Sequence, residues 1–195
     1  DRFGQEPDGL SLARVKDAPH GIDLGALAPR LPAILRTPSG RIELWPQPVA
    51  AELAAVDAAL RAPVPELVVV GRRDVRSNNS WMHNLPTLAK GPERCTALVN
   101  PADAARHGVQ AGDRVRLEGA GGRSIELPAT VTDEMMPGVV SVPHGWGHDQ
   151  PGVQLGIAAQ RPGANLNDLL DDALRDPLSG TSVLNGVPVR ISRVA

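Results

Sequence analysis

The sequence predicts a mainly β fold with short helices, in which six or seven short strands close into a barrel. Short runs of β-branched or alternating apolar residues recur between residues 66 and 194, separated by turn residues. The helical patterns in this region are brief, and no repeat is present. Aromatic residues are scarce, with three Trp, one Phe and no Tyr, so the core must consist of Val, Leu, Ile and Ala. A closed barrel suits this pattern because closure removes exposed sheet edges.

Residues 1–65 form a proline-rich segment that precedes the barrel domain, which we assign to residues 66–195. Within this segment, apolar residues at helical spacing predict one helix over residues 49–62. Residues 21–25 and 37–44 are interpreted as short extended elements with turns. Such pieces could not bury much apolar surface alone, so we predict an extension that packs against another part of a larger protein.

The barrel domain begins with residues 67–71, a continuous β-branched run that is typical of a strand buried on both faces. Asn100 and Pro101 supply a cap and a first-turn proline, which predict a short helix that ends at Gly108. Residues 119–122 are glycine-rich and predict a hairpin turn, and residues 164–174 predict a loop with a short helix. The further strands are predicted at residues 95–99, 114–118, 123–131, 139–142 and 187–194.

Charge and composition exclude several classes of function. The formal net charge of −2 provides no general basic field for nucleic acid or an anionic membrane. No run of about 18 apolar residues is present, so no membrane span is predicted. The single cysteine, Cys95, excludes an internal disulfide framework and a cysteine-based zinc or iron–sulfur site within this chain. We expect Cys95 to be buried and to pack as a small hydrophobic residue. We also expect the protein to be cytoplasmic.

The first eight residues contain no Met, no basic region and no apolar region of an export signal. This opening is typical of the middle of a longer polypeptide. We therefore expect the chain to be a carboxy-terminal piece of a larger protein.

Residues 71–84, termed the first loop, follow the most hydrophobic strand and contain three Arg, three Asn, two Ser and one His. The planar guanidinium of arginine and the amide groups of asparagine can donate hydrogen bonds to phosphate oxygens, so a phosphate site is one interpretation of this loop. An ordinary solvated loop with one tryptophan as an anchor is the other.

Residues 143–148, termed the second loop, place glycines beside one tryptophan and two histidines. Glycine lets the backbone approach a ligand closely, and the rings offer a stacking face and hydrogen-bond donors. His144 and His148 are four residues apart, which on a helix would make a metal pair. A helix is not expected between glycines and after a proline, so we reject zinc.

Residues 163–170, termed the third loop, contain Asn165, Asn167 and Asp168. The two amides can pair with a heterocycle, and the carboxylate can accept two hydrogen bonds from an N–H/NH2 edge such as that of guanine or a pterin. Simple helix capping is the alternative, although it explains only one of the three residues.

Taken together, these segments resemble the dinucleotide-binding domain of molybdopterin oxidoreductases, the enzymes related to formate dehydrogenase, nitrate reductase and dimethyl sulfoxide reductase. The resemblance covers roughly residues 66–194, and residues 37–44 are similar to the segment that precedes this domain. The order and spacing of several independent segments make the resemblance specific. These segments are residues 70–73, 78–84, 98–104, 108–115, 143–148, 164–169, 176–181 and 185–189.

The resemblance implies a six-stranded double-psi β-barrel of the aspartate-decarboxylase-like type. It also implies that the domain holds molybdopterin guanine dinucleotide, with its molybdenum, on behalf of a whole enzyme that transfers oxygen atoms, hydride or electrons. An iron–sulfur cluster would belong to the amino-terminal part of that enzyme, and Cys95 is not expected to bind the metal. By position, the cofactor-binding residues would be Arg72, Asn78, Asn79, Trp81 (by packing), His83, His144, Gly145, Trp146, Asn165, Asn167 and Asp168.

The resemblance further implies that the other domains of the same enzyme are the partners of this chain, and that the chain alone is inactive. A stand-alone double-psi barrel that binds a protein or nucleotide is the alternative. A complete small enzyme, such as a decarboxylase on the same barrel, would need an internal nucleophile or a self-processing Gly-Ser site, and no persuasive one is present. Nucleic acid is not expected as a partner.

Overall fold

The computed structural model describes residues 10–194. It divides the chain into two compact units, Asp1–Ala50 and Ala51–Ala195. The interpretation of the first eight residues as the middle of a longer polypeptide lies outside the described residues. The domain boundary expected between residues 65 and 66 stays a prediction.

The first unit contains one short helix, α1 (Leu12–Lys16), whose N-cap Ser11 accepts a hydrogen bond from the Arg14 N–H at 3.2 Å. Residues 21–25 and 37–44 were expected to be extended, yet residues 10–50 form no strand. Local side-chain bonds turn the chain instead: Asp23 accepts from the Gly25 N–H, and the Thr37 hydroxyl donates to the Arg41 carbonyl. No residue between 10 and 50 is buried.

Helix α2 (Gln47–Arg61) confirms the helix expected over residues 49–62. Leu53, Val56 and Leu60 recur at the expected spacing, but each is more than half exposed. No helix within residues 10–194 combines the length and the apolar character that a membrane span requires.

The second unit contains a seven-stranded sheet within the described residues, so the fold is mainly β with short helices. Its strand order is β6-β1-β5-β2-β4-β3-β7. The strands are β1 (Val68–Arg72), β2 (Ala97–Val99), β3 (Arg114–Glu118), β4 (Ser124–Val131), β5 (Val139–Pro143), β6 (Val187–Pro188) and β7 (Arg190–Arg193).

Two strand pairs are parallel, β1 with β5 and β2 with β4, and the other four are antiparallel. The inward side chains form one core that is almost entirely aliphatic, as the scarcity of aromatic residues predicted. Its fully enclosed members include Val69, Val99, Val115, Leu117, Leu127, Val140 and Val142.

The end of the chain joins both edges of this sheet. Strand β6 pairs with β1 and strand β7 pairs with β3, yet only Val189 separates them. The single strand expected over residues 187–194 is therefore divided, because the segment must leave one edge to reach the other. Pro188 cannot donate to a ladder, and Val189 donates its N–H to the Leu67 carbonyl at 3.0 Å. The count of six strands is not confirmed, since β6 and β7 are separate strands.

Two short helices connect the early strands, α3 (Pro86–Ala89) and α4 (Pro101–Arg106). Helix α4 confirms the expected cap: the Asn100 side chain accepts from the Ala102 N–H at 2.8 Å and donates to the Met135 carbonyl at 2.6 Å. Gly108 follows with a φ of 64°, as a left-handed helix end requires. The turn expected at residues 119–122 joins the antiparallel strands β3 and β4, which confirms a hairpin, and Gly121 has a left-handed φ of 68° within it.

Asp103 links α4 to the start of β5 through a fully buried carboxylate. One oxygen accepts a hydrogen bond from the Gly138 N–H at 2.7 Å, and the other lies 3.4 Å from the Arg106 guanidinium. The aspartate side chain is 0% exposed. A buried N–H that loses its acceptor costs free energy, so this bond should contribute strongly to the stability of the second unit.

We expect Asp103→Ala to lower the free energy of unfolding by about 1–3 kcal/mol, because the Gly138 N–H would be left buried without an acceptor. Chemical denaturation of both proteins measures the difference. The exposed Asp133→Ala is the matched control and should change stability by less than about 0.5 kcal/mol. Equal effects of the two substitutions would contradict the assignment.

Candidate functional site

The first and second loops leave the same end of the sheet. Strands β1 and β5 are parallel neighbours, and their last residues, Arg72 and Pro143, stand opposite each other. The pairing continues one step further, since the His144 N–H donates to the Arg72 carbonyl at 3.2 Å. Two polar loops that are far apart in the sequence therefore start side by side.

Glycines bring the second loop against both of the other loops. Gly145 has a φ of 86°, and a Cβ atom there would collide with the Asn79 carbonyl of the first loop. Gly147 has a φ of 102°, and a Cβ atom there would lie 2.6 Å from the Cβ of Asn165 in the third loop. Only glycine permits such approaches in this backbone conformation. The second loop thus lies between the first and the third.

A pocket of about 160 Å³ lies beside the second and third loops, and Arg73, His144 and Asn167 line it. Gly147, Asn165 and Asp168 line a separate pocket of about 220 Å³. The structure therefore brings His144 and Asn167 together, whereas Asn79 contacts Gly145, the residue after His144. The Nε2 atom of His144 is buried and has no hydrogen-bond partner among residues 10–194.

Asn185 also lines the pocket beside His144, although the sequence did not single it out as a site residue. Its side-chain oxygen accepts from the Gly71 N–H at 2.7 Å, which anchors the start of the first loop. The two residues are 114 positions apart, so no local pattern could have revealed this bond.

Asn78 and Asn79 form the exposed tip of the first loop. Their φ angles are 41° and 69°, in the left-handed region that asparagine tolerates better than most residues. Both side chains are exposed. Their amide groups are therefore accessible to a ligand.

Trp81 is 80% exposed, so the packing expected of it is not observed within the described residues. It follows the two left-handed asparagines at the loop tip, where no core surface lies against it. Trp146 of the second loop is half-buried and packs against the core instead.

Arg72 lies under the first loop, with its guanidinium committed to backbone carbonyls. It donates to Ser141 O at 2.7 Å, Thr96 O at 2.8 Å and Arg94 O at 3.1 Å. Burial lowers the pKa of this guanidinium from its ordinary value. These bonds tie together the ends of three strands, whereas the expected phosphate contact of Arg72 stays a prediction.

His83, Trp146 and His148 form a ring cluster beneath the first and second loops. His83 Nδ1 lies 2.6 Å from His148 Nε2, so one nitrogen must donate a proton to the other. The His83 ring lies 4.1 Å from the Trp146 ring, centroid to centroid. The two histidines therefore join the first loop to the second.

Burial lowers the pKa of both imidazoles. For His83 the neighbouring His148 lowers the pKa further and so, weakly, does Arg94, while the Gly145 carbonyl and Asp74 oppose the shift. For His148, burial is the largest cause of the lowered pKa, and Asp149 and the Gly145 carbonyl oppose it. Both rings are thus favoured in the neutral form in the folded chain.

The third loop combines capping with exposed polar groups. Asn165 accepts from the Asn167 N–H at 3.1 Å, at the start of a short 3-10 turn, and donates to the Asp168 carboxylate at 2.9 Å. Capping therefore accounts for Asn165, whereas the capping interpretation expected Asn167 or Asp168 at that position. Asn167 and Asp168 are exposed.

The sequence did not single out the residues that hold the surrounding segments. Asn84 accepts from the N–H groups of Ile157 and Ala158 at 2.9 and 3.2 Å. Arg76, Arg94 and Arg161 donate to backbone carbonyls of residues 87–91. The partners of Asn84 and Arg161 are at least 70 residues away, so no local pattern predicts these two sets of contacts.

Cys95 is 1% exposed, which confirms that it is a buried residue. Its sulfur accepts from the Ala164 N–H at 3.2 Å. Burial raises the pKa of the thiol to about 11, so the thiolate is disfavoured at neutral pH.

Comparisons with known proteins match the region that contains the sheet. The family model described as "Molydopterin dinucleotide binding domain" matches residues 67–188. The chain is 35% identical over 120 residues to a tetrathionate reductase subunit of Salmonella typhimurium, a match that covers 53% of this chain and 12% of that protein. It is 29% identical over 178 residues to the probable oxidoreductase YoaE of Bacillus subtilis, a match that covers 85% of this chain and 23% of that protein.

Among solved structures, acetylene hydratase from Pelobacter acetylenicus superposes with a TM-score of 0.59 at 22% identity. The match covers 81% of this chain and 24% of that chain, and it shows a shared fold. The chain therefore spans only 12% to 24% of the length of these three proteins.

We expect Gly145→Ala to destabilise the chain more than Gly152→Ala does. Both glycines have positive φ, but a Cβ atom at Gly152 meets nothing within 4 Å, whereas at Gly145 it meets the Asn79 backbone. Gly152→Ala should cost only the left-handed strain, about 1–2 kcal/mol. Gly145→Ala should cost at least about 1 kcal/mol more, because the two loops must separate. Thermal or chemical denaturation measures both, and equal losses would argue against the close approach.

We expect the stability of the chain to fall as the pH drops below about 6.5, the ordinary pKa of histidine. Because the folded chain lowers the pKa of His83 and His148, the unfolded chain binds protons first, and protonation then favours unfolding. His148→Gln should lose less stability than the unsubstituted chain between about pH 7 and pH 5. Denaturation at a series of pH values measures this, with the exposed His20→Gln as the control that keeps the steeper profile.

Proposed function

The chain belongs to the molybdopterin dinucleotide-binding domain family, because the family model matches residues 67–188, and from this premise we propose that its three loops bind molybdopterin guanine dinucleotide within a larger oxidoreductase. The observation that carries the proposal is the junction at which Gly145 meets Asn79 and Gly147 meets Asn165. These contacts bring the three polar loops to one surface.

The residues at this junction fit a polar, phosphate-bearing ligand. Gly145 and Gly147 let the second loop lie directly against the first and third loops, so polar groups of all three are adjacent. His144 Nε2 is buried at the pocket without a partner among the described residues, and such an atom is costly unless a ligand pairs with it. Arg73 adds a positive charge to the same pocket.

We assign direct contacts to those of the predicted residues that are exposed or that line the pocket beside His144. Asn78 and Asn79 would donate to phosphate or ribose oxygens, and His144 would contact the ligand from the second loop. Asn167 and Asp168 would pair with the edge of guanine or of a pterin. Trp81, with its exposed indole, could serve only by stacking on the ligand.

We assign positioning roles to the residues that hold the loops. Arg72 ties the strand ends, while His83 and Trp146 pack together below the junction. Gly145 sets the distance between the first and second loops, and Asn165 orients its two neighbours in the third loop. Substitution of these residues would misplace the contacts rather than remove them.

When bound, the cofactor with its molybdenum would supply the oxygen-atom, hydride or electron transfer. The contribution of this chain would be to bind and orient the cofactor and to exclude water around it. We therefore expect the isolated chain to have no catalytic activity. The proposal includes three further statements. The whole enzyme transfers oxygen atoms or hydride, the cofactor is the guanine dinucleotide form, and any iron–sulfur cluster lies elsewhere in the enzyme.

We further propose that the other domains of the same enzyme cover residues 10–65. None of these residues is buried, and apolar side chains such as Leu27, Leu44 and Val64 are at least 90% exposed. Exposed apolar surface of this kind is typical of an interaction site. The matches cover only 12% and 23% of the two sequence relatives described above. A protein of their length would contain further domains that could pack against residues 10–65.

We also infer that the barrel is of the double-psi, aspartate-decarboxylase-like type. The parallel pairs β1–β5 and β2–β4 within one small sheet support this type, as does the terminal segment that joins both edges. The cytoplasmic location stays a prediction. A stand-alone binding module is disfavoured because the matching family is a domain found within longer oxidoreductases.

We expect the isolated chain to bind GDP weakly, with a Kd above about 1 µM, because other domains should complete the site. Calorimetry measures the affinity, and amide chemical shifts locate the contact. Shifts should concentrate at Asn79, His144 and Asn167. Shifts confined to other parts of the barrel at millimolar GDP, or no shifts at all, would reject the three-loop site.

Asp168→Asn tests the guanine edge separately. The carboxylate can accept two hydrogen bonds from guanine but not from adenine, so the variant should weaken GDP binding about tenfold and leave ADP binding unchanged. Asp172→Asn, a substitution of an exposed neighbouring carboxylate, is the control and should leave both affinities unchanged. Equal losses for GDP and ADP would exclude base recognition by Asp168.

A further inference from the structure

The bond between His83 and His148 joins the first and second loops and depends on protonation. His83 belongs to the first loop, and His148 ends the second loop 65 positions further along the chain. His83 Nδ1 lies 2.6 Å from His148 Nε2, and the two residues are only 7% and 8% exposed. Solvent therefore has little access to either ring, so the facing nitrogens depend on each other for a partner.

The short distance between the rings limits the number of protons that the pair can carry. In the neutral pair one facing nitrogen donates and the other accepts. One added proton on a nitrogen that faces away leaves this bond intact. When both rings are charged, every ring nitrogen carries a proton, so neither facing nitrogen can accept. Two N–H groups cannot face each other at 2.6 Å, so the doubly charged pair must separate.

The charged side chains around the two rings do not favour their protonation. Those that act on the ring charges or line the cavity at His83 are Asp74, Arg76, Arg94, Asp149 and Arg161. The two carboxylates favour a charged imidazole, whereas the three guanidinium groups disfavour it. Burial is the largest cause of the lowered pKa of both rings. The rings are therefore neutral while the loops are in contact, and they take up protons when the loops separate.

The first and second loops can separate without loss of the sheet. Gly145, three residues before His148, lies against the Asn79 backbone, so separation of the two histidines would also disturb this contact. Strands β1 and β5, from which the two loops start, are joined by a parallel ladder of their own. Loop opening and unfolding of the sheet are therefore distinct events.

We propose that protonation of both His83 and His148 opens the contact between the first and second loops and so releases a ligand bound by the three loops. The release of a ligand rests on the proposed function, whereas the opening itself does not. Each histidine that titrates near pH 6.5 in the open form contributes up to a factor of about ten between pH 7.5 and pH 5.5. The affinity for the ligand should therefore fall by up to about a hundredfold over this range.

Nuclear magnetic resonance of the full 195-residue chain tests the opening without a ligand. Nuclear Overhauser contacts between Asn79 and Gly145 should be present at about pH 7.5 and lost at about pH 5.5, on either side of the ordinary pKa of histidine. Contacts between Val69 and Val140 of the paired strands should persist at both pH values. The ring nitrogen shifts of His83 and His148 should show that both rings become charged over the same range.

Two outcomes of this experiment would overturn the proposal. In the first, the Asn79–Gly145 contacts persist after both rings have become charged. In the second, these contacts disappear only together with the contacts between the strands, which would mean that acid unfolds the whole unit.

Calorimetry with GDP at the same two pH values tests the effect on the ligand. His148→Gln is the informative variant, because the glutamine amide can accept from His83 whether or not that ring is charged. The Kd of the unsubstituted chain should rise at least about tenfold more on acidification than that of His148→Gln. The terminal phosphate of GDP also gains a proton near pH 6, and this contribution is common to both proteins. His20→Gln, at an exposed position, should keep the full pH dependence.

Equal rises of the Kd in the unsubstituted chain and in His148→Gln would overturn the control of the ligand by the pair. Absence of GDP binding at both pH values would instead reject the proposed function, and the Asn79–Gly145 contacts would then decide on the opening alone. The same contacts in the unsubstituted chain decide if His148→Gln fails to fold.

Discussion

The parallel pairing of β1 with β5 is the constraint on which the candidate site depends. It sets Arg72 opposite Pro143, so that the first and second loops leave the sheet side by side. The close approach of Gly145 to the Asn79 carbonyl then follows only because both loops start from adjacent strand ends. A shift of this pairing by one residue would exchange the faces of every side chain on the strand and would separate the loops.

Several polar side chains around the loops hold backbone in place. Arg72, Asn84 and Asn185 each bond main-chain groups of distant segments, and the His83–His148 pair joins two loops directly. Loops carry function when a rigid scaffold positions them, and these bonds supply that rigidity. The exposed amides of Asn78, Asn79 and Asn167 are then available to a ligand. The three loops therefore need two kinds of polar residue, those that hold the backbone and those that are available to a ligand.

Local patterns predicted the regular elements well and the connections less well. The helix over Gln47–Arg61 and the Asn100 cap depend on neighbours within four residues, which the sequence displays directly. Residues 21–25 and 37–44 looked extended, but side-chain bonds to nearby backbone turned them. The final strand was expected to be continuous, and its break at Val189 reflects the distance between two sheet edges, which no local pattern encodes.

The sequence by itself determined the strands, the aliphatic core, the burial of Cys95 and the identity of the three polar loops, because each depends on residue type and short-range spacing. Tertiary structure alone decided which loops meet and which side-chain donors, such as Arg72, already bond backbone carbonyls. It also decided that Trp146, and not Trp81, packs beneath the site. Those outcomes depend largely on contacts between residues far apart in the chain, such as the 65 positions that separate His83 from His148. Such contacts arise only when the strands pair into the sheet, so a linear pattern of residues cannot display them.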